Sequence, residues 1–542
     1  MSPVTGPTAP ATPRRVAIVT LGCGRNEVDS EQLAGLFHRE GDHLVDDPAD
    51  ADVVLVNTCT FIAPAKQESV DTVLAACQLK DDADARAVLV VGCMAQRYPH
   101  ELADAIPEAD AVVGFDGYGR LPQIVDDVLA GVVTDRVIGV GSAHPGSRPT
   151  GAALPLIVTP SPDPGGGTAV DDATPAGSAA SRDPDRVLAL EVLERTGPRP
   201  EPALDGQDAL DRAPASGPRF PIRHRTAAGP RAWAYLKIAS GCDRVCTFCA
   251  IPSFRGRFRS RTREEILAEA AWLTDQGVRE LVLVSENTTS WGKDLPGGRG
   301  EQPRLLRELA EVDGVERIRL MYLQPAELTG PLLEAIATEP KVASYYDLSL
   351  QHVSAPVVRR MARSGDATRF AELIARARDL DPDAVFRSNF ILGFPGETES
   401  DVDVLEEFLV DNRLDWVGLF PFSREDGTPS DAMDAQVPDD VTSARLERIR
   451  DVQEALADDA ARRYIGRHLD VVVDEVVDDG DGLVTSARSY REAPDTDGEV
   501  RLVGPDGRAA RLPVGSTTTV EVVDAVGVDL IGRLAADGVD GV

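Results

Sequence analysis

Cys242, Cys246 and Cys249 follow the apolar run at residues 234–239 at spacing Cys-x-x-x-Cys-x-x-Cys, within GCDRVCTFCAIPSF. Three thiols in one loop can converge on a metal. Four Cys, or Cys and His in two close pairs, would close a tetrahedral zinc site, whereas three thiolates with no fourth nearby leave a metal position open. An iron-sulfur cluster with one free iron fits this spacing best. A zinc site completed by a distant ligand and a metal-free loop of buried cysteines are the other readings.

Three further cysteines share a topological position. The runs RVAIVTL (15–21), VVLV (53–56) and AVLVV (87–91) end at Gly22-Cys23, Asn57-Thr58-Cys59 and Gly92-Cys93. β-Branched runs separated by helical stretches argue for a parallel sheet covered on both faces, whose ligands sit beyond the carboxyl ends of the strands. A lone Cys there is usually a small packed residue; three together suggest a second three-thiolate cluster. The seventh cysteine, Cys77 in VLAACQLK, reads as a buried thiol on a helix.

Between about 230 and 460, six strand candidates alternate with helices: residues 234–239, 280–285, 317–323, 346–350, 386–392 and 416–422. This pattern predicts an open, partial TIM-like (β/α)6 barrel with its active face at the strand carboxyl ends. Polar residues fall at those ends: Ser285-Glu286-Asn287, Gln324, Gln351-His352 and the GFPGE turn at 393–397. Each has a structural alternative, Asn287 as a turn cap, His352 as a core histidine and the glycines as a tight turn.

The flanking segments differ in texture. Residues 141–229 are rich in Gly, Pro, Ala and Asp with no aromatic before Phe220, so they read as a flexible insert, with a short ordered piece at 187–193. Residues 466–535 carry five short β-rich runs separated by Gly/Asp/Pro turns, as in a small antiparallel barrel. From residue 466 onward there are seven Arg and no Lys against sixteen Asp plus Glu, a balance poorly suited to phosphates and well suited to a basic protein. Asp474, Glu475, Asp478 and Asp479 are the acids expected to meet it. The whole chain, of 542 residues, has a formal charge of -34, which opposes tight nucleic acid binding. With no secretory leader, no apolar run of membrane-spanning length and cysteines placed as metal ligands, it is expected to be cytoplasmic and free of membrane.

The Cys-x-x-x-Cys-x-x-Cys loop, with Phe248 before its last Cys, resembles that of the radical S-adenosylmethionine (SAM) enzymes. LGCGRNEVDSE, VNTCTFI and VGCMAQRYP are similar to the cysteine segments of their methylthiotransferase branch, and the C-terminal runs resemble a TRAM domain. LSLQHVSAPVVRRMAR, RSNFILGFPGET and ARSYREAPDTDGEV look like the members that modify a ribosomal protein rather than transfer RNA adenosine, which is the alternative.

The resemblance covers about 14–535 and implies four units: an N-terminal domain (14–130), the insert (141–229), a radical SAM core (230–460) and a TRAM barrel (466–535). It implies two 4Fe-4S clusters. The one on Cys242, Cys246 and Cys249 binds SAM and generates a radical. The auxiliary one, on Cys23, Cys59 and Cys93, carries the sulfur to be transferred. SAM contacts are implied at Phe248, Ser285, Glu286, Asn287, Gln351, His352, Ser388 and Asn389. The implied substrate is the β-carbon of an aspartate in the twelfth protein of the small ribosomal subunit, with a low-potential reductant and a sulfur donor as partners. Ser-Glu-Asn for the family's Ser-Gln-Asp, Ala250, and EAPDTDG for DAPEIDG are the departures.

Overall fold

The computed structural model describes residues 13–140, 223–225, 231–478 and 483–535. The N-terminal domain is a parallel sheet of β1 (Arg15–Thr20), β2 (His43–Leu44), β3 (Val53–Thr58), β4 (Ala87–Gly92), β5 (Ala111–Val113) and β6 (Val137–Ile138), in the order β2-β1-β3-β4-β5-β6. Its helices are α1 (Gly24–Glu40), α2 (Ala63–Asp82), α3 (Cys93–Arg97), α4 (Pro99–Ala105) and α5 (Leu121–Leu129). β3 and β4 are buried at every position, as continuous β-branched strands between two helical layers must be. The domain extends past the expected edge at 130, because the two-residue β6 pairs parallel with β5 and is too short to leave a periodic signal. Cys77 is buried on α2, as expected.

The central domain has two three-stranded parallel sheets. One is β7 (Trp233–Lys237), β10 (Glu280–Val284) and β11 (Arg317–Leu320); the other is β12 (Tyr345–Gln351), β13 (Val385–Leu392) and β14 (Trp416–Pro421). Parallel bridges Ile318–Val342 and Leu323–Leu348 join them into one open wall of six strands, the expected partial barrel. β11 stops three residues short of the expected 323, where Tyr322 takes φ +60° and breaks the extended geometry. A short antiparallel pair, β8 (Ala239–Ser240) and β9 (Arg259–Ser260), brackets the cysteine loop. The largest hydrophobic core lies between the six strands and their helices.

The C-terminal strands β15 (His468–Asp478), β16 (Leu483–Arg488), β17 (Val500–Val503), β18 (Thr517–Val526) and β19 (Asp529–Leu534) close a barrel in the order β15-β16-β17-β19-β18. Glu280, at the start of β10, locks it to the central domain. Its buried carboxylate accepts from Arg319 Nε (2.8 Å) and Arg488 Nη1 (2.9 Å). Asp474 is not an exterior docking acid: it is mostly buried and paired with Arg488. Glu475 is exposed, while the Asp478 side chain and Asp479 lie outside the described residues.

Most of the 141–229 insert, including 187–193, lies outside the described residues. Residues 223–225 are not free linker. Arg223 is buried between two domains, where its guanidinium meets Glu31, Glu269 Oε1 (2.6 Å) and the Tyr235 carbonyl (2.9 Å). Among the described residues no helix is long and apolar enough to cross a membrane.

Candidate metal centres and the pocket between them

At the end of β1 the chain turns through Gly22, whose φ of +94° suits glycine, and a Cβ there would lie 2.9 Å from Cys59 Sγ. Cys23 then caps α1, Cys59 follows β3 and Cys93 opens α3. Because β1, β3 and β4 are parallel neighbours, their carboxyl ends bring the three thiols together. In the central domain Cys242, Cys246 and Cys249 occupy the loop between β8 and β9. All seven cysteines are free thiols.

The backbone N–H of Arg244 points at a sulfur, Cys242 Sγ (3.4 Å). Guanidinium groups add charge-assisted donors. Arg25 Nε reaches Cys23 Sγ (3.3 Å), Arg255 Nη2 reaches Cys93 Sγ (3.2 Å) and Arg363 Nη1 reaches Cys246 Sγ (3.3 Å).

Burial pushes the Cys59 thiol up to about 12, helped by Cys93 and Cys23 beside it. Burial likewise takes Cys249 to about 12, with Cys246 and Cys242 adding to it, and Cys242 to about 11. Burial also opposes ionisation of Cys23, but Arg25 and Arg255 outweigh it and hold that thiol below its ordinary range. A metal bound here would therefore displace protons from most of these sulfurs.

Among the described residues no three His, Cys, Asp or Glu side chains close on a single metal ion. A zinc site would draw its sulfurs to about 2.3 Å from one point. Three soft donors in each set, with N–H donors on the sulfurs of Cys23 and Cys93 in one and of Cys242 and Cys246 in the other, fit a cubane cluster with one open iron.

A pocket between the two domains is lined by Phe248, Cys249, Gln351, Asn389, Ile391 and Phe422 from the central domain and by Thr60, Phe61 and Ile62, which follow Cys59, from the N-terminal one. Three of the expected SAM-contact residues, Phe248, Gln351 and Asn389, thus face it. Asn389 Oδ1 is buried without a hydrogen-bond partner, and Gln351 holds φ +70°, a left-handed conformation uncommon outside glycine.

The other expected residues are turned elsewhere. Ser285 Oγ accepts from the Asn287 N–H (3.0 Å), and Asn287 Nδ2 donates to Ser290 Oγ (2.9 Å) and Glu327 Oε2 (2.8 Å), a network that joins this turn to the one after β11. Glu286 pairs with Arg25 of the N-terminal domain (3.3 Å). Ser388 is buried, its Oγ accepting from the Leu350 N–H (3.4 Å). His352 is fully buried, with Nδ1 accepting from the Ser354 N–H (3.0 Å); burial lowers its pKa to about 4, so it is a neutral core histidine.

Sequence reasoning missed Arg25, Arg255, Arg363 and Glu425. Glu425 lines the pocket and joins the domains by ion pairs with Arg97 (2.7 Å) and Lys66 (3.4 Å). The one available signal was the run of alternating arginines at 255, 257, 259 and 261, directly after the cysteine loop. A second cavity, of about 440 Å³, is lined by Cys23, Glu27, Tyr235, Tyr322, Asp495 and Thr496, so all three domains wall it.

Residues 15–114 match the Uncharacterized protein family UPF0004, residues 236–409 the radical SAM superfamily and residues 465–535 the TRAM domain. A ribosomal protein uS12 methylthiotransferase RimO of Kineococcus radiotolerans is 45% identical, over 97% of this chain and 98% of its own length. The protein of the same name from Streptomyces avermitilis is 45% identical over 96% of each chain. Among solved structures, the radical S-adenosylmethionine methyltransferase TsrM of Kitasatospora setae is 15% identical, covering 77% of this chain and 74% of its own at a TM-score of 0.49. With identity of this order running through all three domains, the chain belongs to the RimO family of radical SAM methylthiotransferases.

Proposed function

We propose that this chain transfers a methylthio group to the β-carbon of an aspartate in uS12, a basic protein of the small ribosomal subunit, using SAM and two 4Fe-4S clusters. The observation that carries the reading is a pocket lined by Cys249 of the central set and by Thr60, Phe61 and Ile62, which directly follow Cys59 of the N-terminal set. Cys242, Cys246 and Cys249 would hold the cluster that meets SAM, and Cys23, Cys59 and Cys93 the auxiliary one. The chemistry these groups supply when bound is one-electron cleavage of SAM to a hydrogen-abstracting radical and a sulfur for transfer, neither of which side chains can offer an unactivated CH2.

The chain's own part is placement and exclusion. Phe248, Ile391 and Phe422 give the pocket apolar walls that keep water from a radical. The unpartnered Asn389 Oδ1 offers an acceptor to a donor group of SAM or substrate. Arg25, spanning from Cys23 to Glu286, ties the N-terminal set to the central domain, and reacting groups gain rate from fixed geometry. Reductant and sulfur donor are external partners.

The test is to incubate reconstituted protein with SAM, a low-potential reductant and sulfide, offering uS12 and transfer RNA in parallel. A methylthio mass gain on uS12 alone is expected. Gain on transfer RNA with uS12 unmodified would replace this reading with the transfer RNA adenosine one.

A further inference from the structure

Arg255 belongs to the radical SAM domain, six residues beyond Cys249, yet its side chain ends inside the N-terminal cysteine set. Its side chain is 4% exposed and its guanidinium lies 4.9 Å from the Phe115 ring centroid. Nη1 donates to Asp29 Oδ2 (2.7 Å), whose other oxygen is held by Lys237 Nζ (2.7 Å). Nη2, the nitrogen turned away from Asp29, donates to Asn26 Oδ1 (2.6 Å) and Cys93 Sγ (3.2 Å). The ion pair with Asp29 thus occupies one end of the guanidinium and leaves the other aimed at sulfur.

Arg25 makes the reciprocal reach, from beside Cys23 to Glu286 at the end of β10. The N-terminal set therefore receives guanidinium donors on two of its three sulfurs, one of them from the other domain. In the second set, Arg363 donates to Cys246 from within the same domain.

We propose that Arg255 is a positioning residue that completes the N-terminal cysteine site from the neighbouring domain, raising the reduction potential of the cluster held there and tying it to the docking of the two domains. The inference rests on reading Cys23, Cys59 and Cys93 as cluster ligands. A cationic N–H donor on a ligand sulfur favours the more negative, reduced state of a cluster, and hydrogen bonds to sulfur are among the main determinants of its potential. Lys at this position would keep a partner for Asp29 but lacks the second nitrogen of the fork.

The experiment uses the full-length chain with Cys242, Cys246 and Cys249 replaced by Ala, so that reconstituted iron reports on the N-terminal set alone. Arg255→Gln, Arg255→Lys and Arg363→Gln are each added, and the midpoint is read by titration followed by electron paramagnetic resonance. Arg255→Gln is expected to raise the oxidised-to-reduced ratio about tenfold at the unsubstituted midpoint, equivalent to about 59 mV for one electron. Arg255→Lys should move it part of the way in the same direction, and Arg363→Gln should leave it in place.

If Arg255→Gln does not fold, Arg255→Lys is read in its stead. An Arg255 variant that retains iron with its midpoint unchanged would overturn the proposal and leave Arg255 as a structural ion pair. Absence of iron from the parent with Arg255 intact would overturn the ligand assignment beneath it, and the proposal with it.

Discussion

Replacing Glu280 by Gln should loosen the joint between the radical SAM domain and the C-terminal barrel while sparing both cysteine sets. Gln keeps the shape and removes the charge that Arg319, Arg488 and Arg317 (3.5 Å) share. Burial alone would raise this carboxyl, but Arg488, Arg319 and Arg317 bring it from 4.5 down to about 2. At 1.36 kcal/mol per pH unit, that difference corresponds to about 3 kcal/mol favouring the carboxylate in the folded state. The figure agrees with the roughly 3–5 kcal/mol lost when one partner of a buried ion pair is removed. For a domain of this size it lowers the melting temperature by roughly 6–12 °C, readable by scanning calorimetry.

A carboxyl depressed when folded stabilises fully above its unfolded pKa and ceases to do so as pH falls through its folded one. The gap between wild type and Glu280→Gln should therefore be constant above about pH 5 and close between about 4.5 and 2. Iron content should not change, because Glu280 opens β10 and the functional residues lie at its other end. Asp403→Asn, touching the exposed Arg448, is the control and should cost less than about 1 kcal/mol. A melting temperature of Glu280→Gln within a degree of wild type, or a gap independent of pH, would refute the reasoning.

Ala at Cys242, Cys246 and Cys249 together should remove about half the bound iron; a wild-type content near four irons per chain would contradict two clusters. Ala at Cys23, Cys59 and Cys93 should leave formation of 5'-deoxyadenosine from SAM intact but abolish methylthio transfer, with the two products measured separately. Deleting residues 147–215, which stops short of the docked Arg223, should leave thermal stability and iron loading as they are. Neutralising the exposed Glu475 and Asp524 should slow association with uS12 at low salt and have little effect at high salt, followed by stopped-flow binding.

The fold was legible wherever local pattern and burial coincide. Continuous runs such as VVLV and AVLVV can be soluble only between two helical layers, so strands and their polar ends could be placed, and the cysteines with them. Orientation was not legible. Asn287 follows a strand and Gln351 ends one, yet hydrogen bonds to Ser290 and Glu327 take up the first, while a positive φ accompanies the presentation of the second to the pocket. Arg255 was hidden for a different reason: its partner Cys93 lies 162 residues away, and that contact exists only once two domains have packed. Arg223 was hidden by the composition of its surroundings, since a low-complexity stretch gives no sign that this one arginine will be buried between two carboxylates.

The stretch ARSYREAPDTDGEV, which pointed to a protein-modifying enzyme, turns most of its polar side chains inward rather than toward a partner. Arg488 binds Glu280, the Ser489 and Tyr490 carbonyls accept from Arg319, and the Arg491 carbonyl accepts from Trp416 Nε1 (2.9 Å). Asp497 accepts from the Tyr345 hydroxyl (2.7 Å) and from Arg387. Asp495, at φ +60°, and Thr496 complete the cavity that also holds Cys23. A segment tied this way to the starts of the barrel strands sets where the C-terminal barrel stands relative to the N-terminal cysteines. Its part in substrate choice is then indirect, through the position of the barrel. That barrel remains strongly acidic when the buried Arg488, Arg491, Asp474, Glu492 and Asp497 are set aside, with five Arg against thirteen Asp plus Glu from residue 466 onward. Attraction of a basic partner therefore falls to exterior acids such as Glu475 and Asp524, and the joint determines how far from the pocket that attraction acts.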